Sequence, residues 1–206
     1  LGWTVSLAAT GITKLAAVVC VMSTMQTEVI DLASVGATWR ALEVLGAGGL
    51  IVLPTDTVYG LAADPWNEDA VERLYQVKQR PKELPIPLLL SDTAEIDQVG
   101  VLPERCRRLA ARFWPGGLTL VLVKRASVSR SITSRPTVAV RVPDLVLTRE
   151  LIRHAGGVLA VTSANLSGAP SPVTAQQVEE QLGGRITLIL DGGPCPAGVP
   201  STVLDC

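Results

Sequence analysis

The sequence is poor in histidine, has no clustered cysteine and carries no excess of either charge, and each shortage removes a class of function. His154 is the only histidine among 206 residues, so a Ser-His-Asp or Cys-His mechanism would rest on that one side chain. It follows the apolar, helical-looking stretch 147–152 and reads as a solvated residue at a helix end. Cys20, Cys106, Cys195 and Cys206 form no CxxC pair, which with the single histidine argues against a clustered zinc site. Reduced thiols in a cytoplasmic protein are the expectation. The formal net charge of −1 offers no bulk attraction for nucleic acid, so any RNA contact would need a local patch.

Several common signatures are also missing. Neither GxxxxGK[ST] nor GxSxG occurs, and Gly46-Ala47-Gly48-Gly49 precedes a strand-like run instead of following one. A P-loop, a hydrolase elbow and a dinucleotide-binding fingerprint are therefore disfavoured. There is no internal repeat, low-complexity tract or long linker. The apolar run 15–22 is too short to span a bilayer and lacks the flanks of a signal peptide, so no membrane contact is expected. Met22 and Met25 stand just before the first well-patterned segment, which suggests an N-terminal extension over 1–21 and one domain over 22–206.

What is present is a chain with 48% apolar residues, enough for one substantial core. Trp39, Leu42 and Leu45 recur at three-residue steps before Gly46, predicting a helix over 38–45 with a glycine end. Asn67, followed by Glu68 and Asp69, caps a helix whose Val71, Leu74, Tyr75 and Lys78 share one stripe, with Pro81 as the stop. A further helix is predicted over 103–113, and Thr174 with Gln177 forms a capping box for another, closed by Gly183. Buried strands are predicted over 50–53, 86–90, 118–123, 158–161 and 186–190. Residues 137–142 alternate, with Val138, Val140 and Val142 on one face and Thr137, Ala139 and Arg141 on the other. Strands interleaved with helices predict an α/β sheet covered on both sides.

The candidate chemistry lies in cations and hydroxyls at the ends of these elements, which suits an anionic substrate more than acid-base catalysis. Lys78 and Arg80 can turn to one side because Pro81 biases Arg80 towards an extended backbone, and together they could clasp a triphosphate. A cationic helix C-terminus is the plainer alternative. Arg141, in a strand of valine and alanine, requires either a paired carboxylate or a ligand. The small-residue segment 162–168 directly follows a predicted strand, where ligands approach backbone and hydroxyls, although an ordinary turn has the same composition.

Taken together, these segments resemble the YrdC-like family, whose threonylcarbamoyl-AMP synthases carry Pro-Thr-x-Thr-x-Tyr-Gly-Leu, Lys-x-Arg and Ser-x-Asn. The matching residues are Pro54-Thr55-Asp56-Thr57-Val58-Tyr59-Gly60-Leu61, Lys78-Gln79-Arg80 and Ser163-Ala164-Asn165. The likeness extends through Trp114-Pro115-Gly116, Val138-Ala139-Val140-Arg141-Val142-Pro143, Asp191-Gly192-Gly193 and Pro200-Ser201-Thr202-Val203. It covers roughly 34–205 in the family's order. Gly117 stands where family members often have proline, which alters only a turn.

The resemblance implies a single-domain, twisted mixed sheet with helices on both sides and a concave ligand cleft. It implies synthesis of threonylcarbamoyl-AMP from L-threonine, bicarbonate and ATP with release of pyrophosphate, the first step of a threonylcarbamoyl modification of adenosine beside the anticodon of tRNA. By position, Lys78, Arg80, Ser163 and Asn165 correspond to the family's catalytic and nucleotide-handling group. Thr55, Arg141 and Ser201 correspond to threonine contacts, while Lys82, Thr137 and Ser171 correspond to further ATP contacts. Mg2+ is implied with the ATP, without direct protein ligation, and the implied downstream partners are tRNA threonylcarbamoyl-transfer proteins. Family members commonly continue beyond the position of Cys206 with an arginine near the nucleotide, so either a truncated chain or a differently closed site is expected. The alternative reading is a double-stranded RNA or tRNA binder without turnover, using Lys78, Arg80, Lys82, Arg105, Arg107 and Arg108 on phosphates.

Overall fold

A computed structural model describes residues 26–206; the predicted extension over 1–21, and Cys20 within it, lie outside the described residues. The chain runs β1 (Glu28–Asp31), α1 (Ala37–Gly46), β2 (Ile51–Leu53), β3 (Gly60–Ala63), α2 (Glu68–Lys78), β4 (Leu88–Leu90) and then a 3-10 turn (Thr93–Glu95). It continues with α3 (Ile96–Val99), β5 (Gly100–Val101), α4 (Glu104–Phe113), β6 (Leu118–Lys124), β7 (Thr137–Arg141), α5 (Val146–His154), β8 (Val158–Ser163), α6 (Ala175–Leu182), β9 (Leu188–Asp191) and β10 (Thr202–Asp205).

All ten strands join one mixed sheet in the order β1-β9-β2-β3-β8-β4-β7-β6-β10, with β5 against β6. Local chemistry explains the helix ends. The Asn67 side chain accepts from the Ala70 amide at the start of α2, and Thr174 accepts from the Gln177 amide at the start of α6. Gln79 then takes a left-handed conformation, φ 52°, which ends α2 before Pro81 is reached.

The two faces of the sheet are covered unequally. On one, α2, α4 and α6 bury Val71, Leu74, Ala110, Val178 and Leu182 against Val52, Leu61, Leu88, Leu120, Val138 and Val140. On the other, α1 and α5 bury Ala41, Val44, Leu151 and Ile152 against Ile51, Leu53, Leu89, Leu159 and Val161. No residue of β6, β7 or β10 belongs to this second cluster. That half of the face is left uncovered by helices, and it is where Thr119, Ala139 and Arg141 point.

One expectation is corrected. Cys106 on α4 and Cys206 after β10 form a disulfide, with Cα atoms 6.2 Å apart and 100 residues between them in sequence. Sheet order brings them together, because β10 crosses to pair with β6, against which α4 packs. Spacing along the chain carries no trace of that contact, and the reduced-thiol reading fails there. Cys195 remains a free, buried thiol.

Candidate active site

The uncovered part of the sheet leads into a cavity of about 290 Å3, near the small end of the range for small-molecule sites, roughly 300–1,000 Å3. Its wall is built from the β2–β3 loop, the segment before β4, the ends of β7 and β8, and the chain entering β10. Six of the ten residues singled out from the sequence line it: Thr55, Arg80, Arg141, Ser163, Ser171 and Ser201.

Arg141 ends β7 and lies in register with Leu89 of β4. Its guanidinium is held at three points: Nε donates to the Gly116 carbonyl at 2.9 Å, Nη1 to Thr57 Oγ1 at 2.7 Å, and Nη2 to Asp56 Oδ1. Burial pushes its pKa down and the Asp56 carboxylate opposes that shift, so the side chain stays cationic. The sequence left a carboxylate and a ligand as alternatives for this arginine. The structure supplies the carboxylate and also puts the residue on the cavity wall.

The Thr55 hydroxyl is occupied by its own loop. It donates to the Val58 carbonyl at 2.7 Å and accepts from the amides of Thr57 and Val58 at 3.1 and 3.2 Å. The two threonine hydroxyls are also in contact at 2.9 Å. A chain of hydrogen bonds thus runs from Arg141 through Thr57 and Thr55 to the backbone. Sequence reasoning missed Thr57, although its place two residues after Thr55 in a loop between strands was the available signal.

The next residues of this loop enter β3, where glycine is required. A Cβ at Gly60 would stand 2.5 Å from Val161 Cγ1, and Gly60 pairs with Ser163 across β3 and β8. Only a residue without a side chain lets the threonine loop and the serine end of β8 close on one cavity.

Lys78 does not reach that cavity. Its side chain is buried at the end of α2, where Nζ donates to the carbonyl of Ser163, to the carbonyl of Asn165 at 2.7 Å and to Asn165 Oδ1 at 3.4 Å. The Lys78 carbonyl accepts from the Ser167 amide at 2.9 Å. Asn165 adds bonds from Nδ2 to the carbonyls of Leu166 and Ala169. Lys78 and Asn165 therefore hold the 163–169 loop from the protein side while Ser163 faces the cavity. Burial, with the nearby Arg80 cation adding to it, pushes the Lys78 amine down to about 7.

Arg80 separates from Lys78 because the left-handed Gln79 redirects the chain. It lines the cavity while donating to the carbonyls of Leu84 and Pro85 at 3.2 and 3.0 Å. Ser201 lies across the wall, 2.7 Å from Thr119 Oγ1 on β6. Thr119 was another residue missed in the sequence, a lone hydroxyl within a leucine-valine strand. Thr137 lies four residues before Arg141 on the same sheet face, outside the cavity wall. Lys82 is exposed and paired with Glu72 at 2.6 Å.

Among the described residues no group of three or more His, Cys, Asp or Glu is placed to hold a metal ion, and no aspartate or glutamate lines the cavity. Two guanidinium groups and seven threonine or serine residues share the wall. Such a wall can neutralise carboxylate and phosphate and donate neutral hydrogen bonds, with little capacity for proton transfer. No helix among the described residues is long and apolar enough to cross a membrane.

Comparison with known proteins identifies relatives of this chain. A threonylcarbamoyl-AMP synthase of Bacillus subtilis is 45% identical over 170 residues, covering 81% of this chain and 49% of the relative. One from Vibrio vulnificus is 38% identical over 171 residues, covering 81% of this chain and 91% of the relative. Among solved structures, Pyrococcus abyssi Sua5 complexed with L-threonine superposes with a TM-score of 0.83 at 39% identity, over 87% of this chain and 54% of that one. The chain thus spans about half the length of the first of these relatives and of the Pyrococcus structure. The family profile for Sua5, YciO and YrdC, described as "Telomere recombination", matches residues 43–206. The chain belongs to the Sua5/YciO/YrdC family.

Proposed function

We propose that this chain is an L-threonylcarbamoyladenylate synthase, making threonylcarbamoyl-AMP from L-threonine, bicarbonate and ATP for tRNA modification. The observation that carries the reading is the convergence of Arg80, Arg141, Ser163, Ser171 and Ser201 on one cavity without histidine or carboxylate. In support, relatives carry the synthase name, and a structure of similar fold is described as complexed with L-threonine.

In this reading the threonine carboxylate meets Arg141, whose Nη1 and Nη2 each have a second N–H beyond their bonds to Thr57 and Asp56. Ser201 and Thr119, whose hydroxyls bond each other at 2.7 Å, leave one proton between them to donate beside it. The threonine nitrogen adds to the carbon of bicarbonate, and loss of water leaves a carbamate. A carbamate oxygen then attacks the α-phosphorus of ATP, and the bond to the β-phosphate oxygen breaks to release pyrophosphate.

Arg80, Ser163 and Ser171 contact the phosphates, and Lys78 and Asn165 act by fixing the Ser163 loop. Thr137 extends the binding face along β7 for the nucleotide, while Lys82 would have to leave Glu72 to reach it. A magnesium ion would accompany the phosphates without direct protein ligation and would neutralise part of their charge. Transfer of the adenylate to tRNA-modifying proteins follows from the same reading.

The RNA-binding alternative fares worse on placement. Lys78 is buried, Arg80 faces the cavity, and Arg105, Arg107 and Arg108 sit on α4, which packs on the sheet face away from α1 and α5. Mass spectrometry of a reaction with isotopically labelled threonine tests the proposal: a labelled threonylcarbamoyl adenylate is expected, and its absence with folded protein contradicts it.

A further inference from the structure

Asp56 lies in the same loop as Thr55 and Thr57 but does not line the cavity. Its carboxylate is 14% exposed, against 6% for the Arg141 side chain it pairs with. The same Oδ1 that accepts from Arg141 Nη2 also accepts from the Asp144 amide at 2.9 Å. The Asp56 carbonyl accepts from the Ala197 amide at 3.0 Å. One residue therefore joins three pieces of the wall: the arginine, the chain leaving β7, and the segment that leads to Pro200 and Ser201.

An arginine side chain has several rotatable bonds and loses substantial entropy when ordered. Where a guanidinium must meet a carboxylate edge-on, its direction matters as much as its charge. Nε and Nη1 are held by neutral oxygens, from Gly116 and Thr57. The Asp56 bond is the only charged one of the three, and it fixes the third corner of the plane.

We propose that Asp56 is a positioning residue for amino-acid binding: its carboxylate aims the Arg141 guanidinium and ties it to the chain leaving β7 at the Asp144 amide, without itself touching the ligand. The inference rests on the reading of the cavity as a threonine site. It makes a counterintuitive claim. Removing a negative charge next to an anion-binding arginine weakens binding of the anion, because orientation is lost, whereas charge alone would make binding tighter.

The test measures Kd for L-threonine and for ATP separately by calorimetry on the full chain, for the native protein and for Asp56→Ala, Asp56→Asn and Arg141→Ala. Asp56→Ala is expected to weaken threonine binding about tenfold or more while ATP binding changes less than about twofold. Asp56→Asn keeps an oxygen acceptor in place and should recover part of the loss. Thermal melts identify any variant that fails to fold, and the Asn variant then carries the comparison. Tighter threonine binding in either Asp56 variant, or equal weakening for both ligands, overturns the proposal. If Arg141→Ala weakens threonine binding and the Asp56 variants do not, the positioning role fails while the threonine site stands. If Arg141→Ala leaves threonine binding unchanged, the reading of the site itself is wrong.

Discussion

The Lys78 side-chain nitrogen donates to the backbone carbonyls of Ser163 and Asn165, residues 85 and 87 positions away, from a buried site with no carboxylate partner among the described residues. A lysine amine is thus used as a structural clamp on the loop that presents Ser163 to the cavity, and carbonyl oxygens alone offset the desolvation that burial imposes on its charged form.

That arrangement has a pH signature. The Lys78 amine is lowered from 10.5 to about 7 in the fold, so between these values the unfolded chain binds more protons than the folded one. Its contribution to stability is full above 10.5 and is lost as pH falls through about 7. Unfolding by urea between pH 7 and 10 should show native stability rising relative to Lys78→Met, which lacks the titrating group. Parallel pH profiles would contradict the assignment.

Arg141→Ala should raise the threonine requirement for turnover by at least tenfold and the ATP requirement by much less, since a charge-assisted contact is worth ~1.5–3 kcal/mol. Steady-state kinetics with each substrate varied in turn reads this directly. Equal effects on the two substrates would show that Arg141 serves the nucleotide or the fold.

Gly60→Ala should cost about 1–3 kcal/mol of stability, because the new methyl meets Val161 Cγ1 at 2.5 Å. The double variant with Val161→Ala should recover much of that loss. Failure of Val161→Ala to compensate would mean that the glycine is needed for another reason.

The Cys106–Cys206 bond anchors a strand, β10, whose four residues are all exposed and whose neighbouring Ser201 lines the cavity. A cross-link over this sequence separation stabilises by about 2–5 kcal/mol, so Cys206→Ser should lower the urea midpoint accordingly. Alkylation of the unfolded, unreduced protein should leave both cysteines unlabelled. Full labelling at both would contradict the bond.

Much of the fold was legible because local signals agreed with it. The Asn67 and Thr174 caps, the alternating strand ending at Arg141 and the buried runs of β2 and β8 all sit close to where periodicity puts them, and β6 lies where a strand was expected but is only partly buried. Strands β1, β3, β5 and β10 were not anticipated; of the two beside the cavity, Gly60-Leu61-Ala62-Ala63 of β3 has little strand propensity, and β10 buries none of its residues. Both depend on pairing with distant strands, which a local pattern does not encode. For the site, residue types pointed to Arg141, Arg80 and Ser163, but not to the direction of each side chain. Lys78 and Arg80 are two residues apart and serve opposite sides of one loop because Gln79 turns left-handed. The Asp56 and Thr57 partners of Arg141 lie 85 and 84 residues away and became visible only in three dimensions.

The most direct measurement of the central claim is pyrophosphate release by the purified chain with ATP, magnesium and bicarbonate, with and without L-threonine. The account predicts release that depends on threonine and is suppressed in Arg80→Ala. Release that is unchanged without threonine, or no release from correctly folded protein that binds both substrates, would contradict it.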